Sequence, residues 1–505
     1  MPERRPDIWL PSYIAAVMAR SRAKLRRRRQ LTEVIFLICD HFEPRHGITS
    51  PRQPHERLQT WATEYARFQQ RCREAFGAAP SHTWFYPPHH GNEHLARLSE
   101  MVLAGLGEVE LHYHHRDDTE ATLRQGLERT LAEYRRWGML LESGAKPRQS
   151  FGFIHGDWAL NNSCNGRFCG VNDEISILRE LGCWADFTMP SGDICQTRKI
   201  NSIYYGIGDR RRPKAHDSGI DARVGVAGSR GLLMLQGPLA INWRAPRHPR
   251  IENASLTSDN WGRSDRIRKW LDCNIHVRGR PEWLFVKLHA HGAIERDFDA
   301  LFGERAFSMH QALNQLCNDG RRYRLHYVTA RQAYNLVKAA EDRKAGNPAD
   351  FLDYCVPRPV HAHYALDVPH ELACCTDTRL CVRLSSDDAR GASLRLSRGP
   401  VRSLNGPLRA ITLDRTKSEL YLETDRVDDS PSEVTVIVDR GFELDALEGV
   451  ALLARELQGE WLCLRLHVQR QGSLSYRRVN DSSVTAAAAA GGLGADKEST
   501  LGFAR

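Results

Sequence analysis

Val34-Ile35-Phe36-Leu37-Ile38-Cys39 is an uninterrupted apolar run, and Asp40-His41 follows it directly. A strand that is apolar on both faces is typical of a parallel sheet covered on both sides, so this run predicts a buried central strand. Similar short apolar runs alternate with segments of helical period through the following 300 residues. Repeated strand–helix units of this kind predict an α/β sheet closed into a barrel, spanning residues 31–345.

The remaining chain has a different character. Residues 360–475 contain short segments of alternating polarity separated by turn residues, which predicts a small all-β, sandwich-like domain. The tail, residues 479–505, is rich in alanine and glycine and is predicted to be disordered. Residues 1–30 form a basic arm with nine Lys or Arg against two acidic residues, which gives 9 − 2 = +7 of the total net charge of +9.

Composition and charge narrow the function classes. Hydrophobic residues make up 41% and charged residues 26% of the 505, as in a soluble globular protein. Thirteen cysteines without regular spacing argue against a disulfide framework and favour a reducing, cytoplasmic compartment. Cys164 and Cys169 do not form a convincing zinc knuckle. The body of the chain is nearly neutral, so no nucleic-acid partner is expected, whereas the arginine run Arg26–Arg29 could contact an anionic membrane surface.

Several predicted strands stop on histidine or aspartate. Besides Asp40-His41, the strand ends carry the stretch His112 to Asp118, the pair His155 and Asp157, Asp186, and the pair His289 and His291. In α/β barrels the loops after the carboxyl ends of the strands converge on one mouth. The sequence therefore predicts one shared catalytic or metal site built from residues that are far apart in the chain.

The residue types at these ends indicate a particular chemistry. Two or three imidazoles with one carboxylate form a zinc-type ligand set that leaves a position open. A divalent ion in such a site lowers the pKa of a bound water molecule and polarises a carbonyl oxygen. A nearby carboxylate can then accept a proton while a histidine donates one to the leaving group. These parts suit hydrolysis of an amide or an ester.

The order of the motifs resembles the polysaccharide deacetylase (NodB-homology) family of the glycoside hydrolase/deacetylase barrel superfamily. The family's first motif is an apolar strand ending in two aspartates, and Asp40-His41 occupies the same place with histidine as the second residue. Its second motif has two histidines four residues apart. His112 resembles the first, but Arg116 stands four positions on, so His115 or His114 must replace the second.

The late motif of the family is an apolar strand ending in Leu-x-His. Val286-Lys287-Leu288-His289 is similar, with Lys287 in the place of the leucine. The resemblance covers roughly residues 31–340. It implies an α/β fold of the distorted (β/α)7–8 barrel type, a carbohydrate substrate and a divalent metal cofactor, with Zn²⁺ as the expected ion.

The resemblance also assigns roles to the candidate residues. It implies Asp40 as base or metal ligand, His289 as general acid, and Asp186 as the carboxylate that tunes that histidine. The expected metal ligands are His41, His112 and His115, with Glu43 as a reserve carboxylate. The expected substrate-binding residues are Trp158, which could stack on a sugar ring, His155, Asp157 and His291.

Three hypotheses for function remain open at this point. The leading one is a metal-dependent carbohydrate deacetylase that removes an acyl group from an N-acetylated sugar or polysaccharide precursor. The second is a glycoside hydrolase of the same superfamily, which needs two carboxylates on either side of the bond, with Asp40 and either Asp186 or Asp157 as candidates. The third is a non-catalytic glycan-binding or scaffold protein. The oligomeric state is open.

Overall fold

The computed structural model describes residues 4–478, apart from fourteen short gaps: 28–30, 137–138, 141–149, 227–229, 244–248, 359–363, 367–369, 376–378, 385–391, 397–400, 415–416, 425–430, 440–441 and 459–460. The chain divides into two compact units, Met1–His363 and Tyr364–Arg505. The predicted disordered tail and the end of the arginine run, Arg28 and Arg29, lie outside the described residues.

The first unit alternates strands and helices. Its strands are β1 Thr32–His41, β2 His82–Tyr86, β3 Gly107–Tyr113, β4 Phe151–His155, β5 Cys183–Asp186, β6 Ile203–Gly206, β7 Gly219–Asp221, β8 Leu232–Leu235, β9 Ala240–Asn242, β10 Arg250–Glu252, β11 Trp283–Ala290 and β12 Tyr323–Tyr327. Its helices are α1 Pro6–Arg27, α2 Gln53–Thr60, α3 Ala66–Phe76, α4 Leu95–Leu103, α5 Glu120–Arg136, α6 Glu174–Glu180, α7 Ser264–Cys273, α8 Phe298–Phe302, α9 Glu304–Cys317 and α10 Ala330–Glu341. None of the helices in the described ranges has both the length and the apolar character needed to cross a bilayer.

Strand β1 is the centre of the main sheet. All ten of its residues are buried, and it pairs in parallel with β11 on one side and with β12 and β2 on the other. The parallel order continues through β3, β4, β5 and β8, and β6 and β7 are added antiparallel at that end. The predicted α/β class with a parallel sheet is confirmed. Closure into a barrel stays a prediction, because no ladder joins β8 to β11 in the described residues.

The two faces of the sheet pack into separate apolar cores. Phe36 and Ile38 lie in one core, whereas Ile35, Leu37 and Cys39 lie in the other, because successive side chains of a strand point to opposite faces. This burial on both faces explains why β1 is apolar without alternation. The segment predicted as a basic arm contains α1, and Trp9 of this helix is fully buried in the second core.

The second unit is a separate antiparallel sheet of ten strands. They are β13 Tyr364–Leu366, β14 His370–Cys375, β15 Arg379–Leu384, β16 Ala392–Leu396, β17 Val401–Gly406, β18 Leu408–Asp414, β19 Glu419–Thr424, β20 Ser432–Asp439, β21 Phe442–Gln458 and β22 Trp461–Arg478. Strand β22 pairs with β20 through its first half, with β19 through its second half and with β21 along its length. The predicted all-β character is confirmed, and a sandwich arrangement of its layers stays a prediction.

Candidate metal centre

The carboxyl ends of β1, β3, β4 and β11 bring the predicted histidines together. The sheet order is β11-β1-β2-β3-β4, so these four strand ends lie side by side at one edge. The ring of His41 lies 4.8 Å from that of His112 and 5.9 Å from that of His289, measured between centroids. Residues separated by up to 250 positions in sequence therefore line one region, as expected for the mouth of a parallel α/β sheet.

Three of the residues at this edge form what we call the open cluster, which consists of Glu43, His112 and His114. The Nε2 atoms of the two histidines lie 3.0 Å apart, and Glu43 Oε1 lies 3.0 Å from His114 Nε2 and 3.8 Å from His112 Nε2. The side chain of His112 is 1% exposed, Glu43 10% and His114 29%, so the cluster is buried on one side and reaches solvent on the other. Exposed His89 stands at its rim, with its ring 5.0 Å from that of His114.

The hydrogen bonds of the two imidazoles decide where their protons lie. His112 Nδ1 donates to the carbonyl oxygen of Ile154 at 3.1 Å, and His114 Nδ1 faces the carboxylate of Asp157 at 3.3 Å. In a neutral imidazole the other nitrogen then carries a lone pair. Two imidazole nitrogens and a carboxylate oxygen thus face one another across about one hydrogen-bond length. A proton on His114 bridges them when no metal is bound, and a divalent cation can take its place.

The electrostatics of the open cluster favour positive charge at this point. Burial alone would lower the pKa of His114, but its hydrogen bonds to Asp157 and Glu43 and their negative charges raise it to about 9. Burial alone would raise the pKa of Glu43, but the hydrogen bond from His114 and the charges of His112 and His114 hold it well below its usual range. Burial lowers the pKa of His112 to about 3. The cluster therefore combines a carboxylate, a neutral imidazole on His112 and a protonated imidazole on His114. A metal ion that binds here would displace the proton of His114.

A wall of aromatic rings borders the open cluster. His41 lies between His112 and His291, and Trp158 packs 5.4 Å from His41 and 6.1 Å from His289. The pKa values of His41 and His289 are well below the usual range, mainly because both side chains are buried. Neighbouring basic groups, including Lys287, lower them further. Among the described residues, His41 Nε2, His289 Nδ1 and Trp158 Nε1 are buried without a hydrogen-bond partner. Such orphaned polar atoms are costly, and a bound molecule could satisfy them.

Asp40 and Asp186 have other partners. Asp40 is fully buried on the opposite face of β1 from His41, where its carboxylate faces His82 Nε2 at 2.9 Å and accepts the backbone N–H of Gly292 at 2.6 Å. Asp186 accepts hydrogen bonds from the backbone and the hydroxyl of Thr188 at 3.1 and 2.6 Å. Burial raises the pKa of Asp186 to about 7. Their predicted catalytic roles stay predictions.

A second group of ligand-type side chains, which we call the closed cluster, consists of His115, His155, Cys169 and Glu174. Its ligand atoms all lie within 4.8 Å of one another. Of the predicted metal ligands, His112 therefore belongs to the open cluster, His115 to the closed one, and His41 to the aromatic wall. Of the predicted substrate-binding residues, Asp157, Trp158 and His291 border the open cluster, whereas His155 is fully buried in the closed cluster.

Cys169 and Glu174 were not predicted to be site residues. Cys169 was rejected as a partner of Cys164, and Glu174 looks like an ordinary acidic residue in the first turn of a helix, where it complements the helix dipole. One feature of the sequence could have indicated them. Cys169 lies in the connection between β4 and α6, and Glu174 is the first residue of α6, so both follow His155 and can fold back toward the end of β4. Only the fold shows that this connection closes on His115.

Comparisons with known proteins give little further information. Neither a protein-family model nor a curated protein sequence matches the chain. Among solved structures, the chain is similar to the crystal structure of a "putative glycoside hydrolase/deacetylase" from Parabacteroides distasonis, with a TM-score of 0.34 and 11% sequence identity. That match covers 78% of this chain and 84% of the other. A likeness this remote establishes no family, so function has to follow from the geometry of the clusters themselves.

Proposed function

We propose that this protein is a metal-dependent hydrolase and that the open cluster is its catalytic metal centre. On this proposal it belongs to the barrel-type glycoside hydrolase/deacetylase superfamily and removes an acyl group from an N-acetylated sugar or polysaccharide precursor. The order of the strand-end motifs and the eight parallel strands of the sheet support the fold assignment. The sugar substrate rests on the motif resemblance and on the tryptophan beside the cluster.

One observation carries the proposal. Two imidazole Nε2 atoms and one carboxylate oxygen converge within 3.8 Å, and each imidazole has its other nitrogen engaged by an oxygen atom. Partners of this kind on the second nitrogen are what orient histidine ligands in metal sites. Three protein ligands with access to solvent on one side match a catalytic zinc site, which keeps one position for substrate or water.

The residues around the centre provide the other functions that an amide hydrolase needs. When bound, a divalent ion at Glu43, His112 and His114 supplies Lewis-acid polarisation of a substrate oxygen. His289 Nδ1 is buried without a hydrogen-bond partner, so it is open to the leaving nitrogen of a bound substrate. The indole N–H of Trp158 is free to donate to a substrate oxygen. Asp157 at the rim holds His114 in place.

The glycosidase alternative receives less support from the contacts. It requires two carboxylates that can reach the sugar on either side of the bond. Both Asp40 and Asp186 are almost fully buried, and their oxygens are engaged within the protein. Asp157, which is exposed, is the one of the three candidates that faces the open cluster.

The proposal is tested by pairing metal analysis with product analysis. Purified full-length protein, reconstituted with Zn²⁺ and incubated with N-acetylated oligosaccharides, is expected to release acetate without new reducing ends, and chelation should abolish the release. Glu43→Gln removes the anionic ligand and is expected to lower acetate release at least a hundredfold, because electrostatic stabilisation at a reacting centre contributes on the order of 10²–10³ in rate.

Glu93→Gln is the matched control. Glu93 is a neighbouring exposed glutamate paired with Arg45, and its substitution should leave metal content and activity unchanged. New reducing ends without acetate would favour a glycosidase. Failure of the open cluster to bind any divalent ion after reconstitution would contradict the proposal.

A further inference from the structure

The closed cluster differs from the open cluster in its burial and its composition. His115 is 4% exposed, and His155, Cys169 and Glu174 are fully buried. His115 Nε2 lies 2.8 Å from His155 Nε2 and 3.0 Å from Glu174 Oε1, and His155 Nε2 lies 3.4 Å from the same oxygen. Cys169 Sγ is 3.5 Å from the second oxygen of Glu174. Four potential ligands therefore meet in the interior.

The second nitrogen of each histidine is already used. His115 Nδ1 donates to the carboxylate of Asp118 at 2.7 Å, and His155 Nδ1 faces the carbonyl oxygen of Gly156. In the neutral form of each ring the Nε2 atom presents a lone pair toward Glu174. A metal ion bound there would replace the proton that His115 Nε2 donates to Glu174 at 3.0 Å. Glu174 is itself oriented by the backbone N–H of Asn161, which donates to its other oxygen at 2.6 Å. This is the arrangement of ligands and supporting partners that holds a metal ion.

The charges of the closed cluster fit a divalent ion. A thiolate from Cys169 and a carboxylate from Glu174 contribute −2, which cancels the charge of a divalent ion and leaves a neutral centre. Neutrality matters here because an uncompensated charge in a fully buried site carries a large desolvation cost. Nitrogen and sulfur ligands select zinc-type ions over Mg²⁺ and Ca²⁺. Four protein ligands leave no open position, which is the mark of a structural site.

The position of the closed cluster indicates what such an ion would stabilise. Its ligands come from the loop after β3, the end of β4, the connection after β4 and the first residue of α6. Six non-glycine residues of that connection have φ between 50° and 68°, namely Asp157, Trp158, Asn161, Asn162, Asn165 and Phe168. Left-handed backbone is unfavourable for residues with a side chain, most of all for Trp158 and Phe168, so a restraint on this connection would stabilise it.

We propose that the closed cluster is a second metal site, a structural zinc site formed by His115, His155, Cys169 and Glu174, which fixes the connection that carries Asp157 and Trp158 to the open cluster. This site is independent of the proposed catalytic function, because it shares no ligand with the open cluster. Of the two clusters, only the closed one contains a sulfur ligand, Cys169.

Cobalt substitution of the full-length protein tests this proposal, since Co²⁺ bound to a thiolate gives a sulfur-to-metal charge-transfer absorption in the near ultraviolet. We expect the wild type to show this band and to bind two equivalents of metal. Cys169→Ser should lose the band and one equivalent. His114→Ala should lose one equivalent and keep the band. Cys164→Ser is the matched control, a cysteine five residues away and outside the cluster, and should keep both.

Other outcomes separate the two proposals. A wild type without the band, or a band that survives Cys169→Ser, overturns the structural site whatever the open cluster does. A band with a single equivalent of metal supports the structural site and contradicts the catalytic one. Should Cys169→Ser fail to fold, Glu174→Gln, which keeps the sulfur and the shape of the side chain, is expected to keep the band but to lose its ion at a chelator concentration at least tenfold lower.

Discussion

Asp40 and His41 are neighbours in sequence, yet they face different parts of the protein. His41 points to the aromatic wall, whereas Asp40 points to the opposite face, where it binds His82 and the backbone of Gly292. A Cβ atom on Gly292 would lie 2.0 Å from the Asp40 carboxylate, so only glycine permits this approach. Trp61 Nε1 donates to the carbonyl oxygen of the same glycine at 2.7 Å. Asp40 therefore anchors the loop that begins with His291.

Replacing Asp40 by alanine tests this anchoring role. We expect Asp40→Ala to lower the free energy of unfolding by about 3 kcal/mol, because a buried charged partner of His82 and an acceptor for Gly292 are lost together. Denaturant unfolding of the metal-loaded protein measures the change, and metal content should be retained. If Asp40→Ala instead keeps its stability and loses metal, the role of ligand or base predicted from the sequence would be supported.

At the residue level, the strand ends could be predicted from the sequence, but the contacts of each side chain could not. Alternation alone predicts the face on which a residue lies, and it placed His112 correctly toward the mouth. It also predicts His114 on the face of His112 and His115 in the loop beyond, which agrees with the contact of His114 with His112 and of His115 with His155. The family resemblance, by contrast, implied His115 as the ligand beside His112. For Lys287, alternation predicts a side chain that points opposite to Leu288 and is buried in an ion pair. It instead donates to the carbonyl oxygens of Phe187 and Met189.

Among the elements, α10 is fixed to the sheet by a buried ion pair. Arg331 donates to Glu108 with Nη2 at 2.7 Å and Nε at 3.1 Å, and both side chains are 1% exposed. Burial would raise the pKa of Glu108, but the charge and hydrogen bonds of Arg331 hold it below its usual range. Arg331 also donates to the carbonyl oxygen of Val356 at 2.7 Å. One guanidinium group therefore connects β3, α10 and the segment after it.

The anchoring of α10 can be tested by Arg331→Leu. The substitution removes the bidentate partner of buried Glu108 and leaves it only the Thr329 hydroxyl at 2.7 Å and Arg358 at 3.9 Å. The free energy of unfolding should therefore fall by about 3 kcal/mol. Arg324→Leu is the matched control, since Arg324 is 42% exposed and pairs with Glu33 at 3.5 Å. Its loss should cost less than about 1 kcal/mol. Denaturant unfolding compares the two variants, and equal effects would contradict a special role for the buried pair.

Elements with strong periodicity could be predicted from the sequence, and short irregular ones could not. The sequence pattern predicts a strand over residues 283–288 and a helix over residues 330–340. Both agree with β11 and α10, because their apolar patterns are long and regular. Strands β6, β7, β9 and β10 escaped prediction. Each has only three or four residues, which is too short for an apolar pattern to show a period. Helix α1 was not predicted, because the basic residues in its second half suggested a solvated arm.

Over the whole molecule, many histidines are buried in neutral form. His310 of α9 is a clear case outside the two clusters. Its ring packs against Phe36 and Phe68, and its Nδ1 accepts the hydroxyl of Tyr327 at 3.0 Å. Burial lowers the pKa of His310 to about 3. In the unfolded chain the same side chain titrates near pH 6.5.

This difference predicts acid sensitivity. Between about pH 6.5 and pH 3 the unfolded state binds a proton at His310 and the folded state does not, so the free energy of unfolding falls as the pH falls. The contribution of one such histidine is at most about 1.4 kcal/mol per pH unit. His310→Phe should reduce the pH slope of unfolding by up to one proton between pH 6 and pH 4, measured by denaturant titration at several pH values. An unchanged slope would mean that His310 is protonated in the folded protein.

His114 and His115 are joined by one peptide bond, yet they face different clusters. Asp157, which holds His114, is likewise two residues from His155 in the closed cluster. Metal binding at one cluster should therefore change the metal affinity of the other, and thermodynamic reciprocity makes the two changes equal in free energy. The closed cluster, with four ligands against three, should fill first. A chelator titration should accordingly empty the open cluster before the closed one. Once the closed cluster has also lost its ion, the open cluster should rebind metal more weakly.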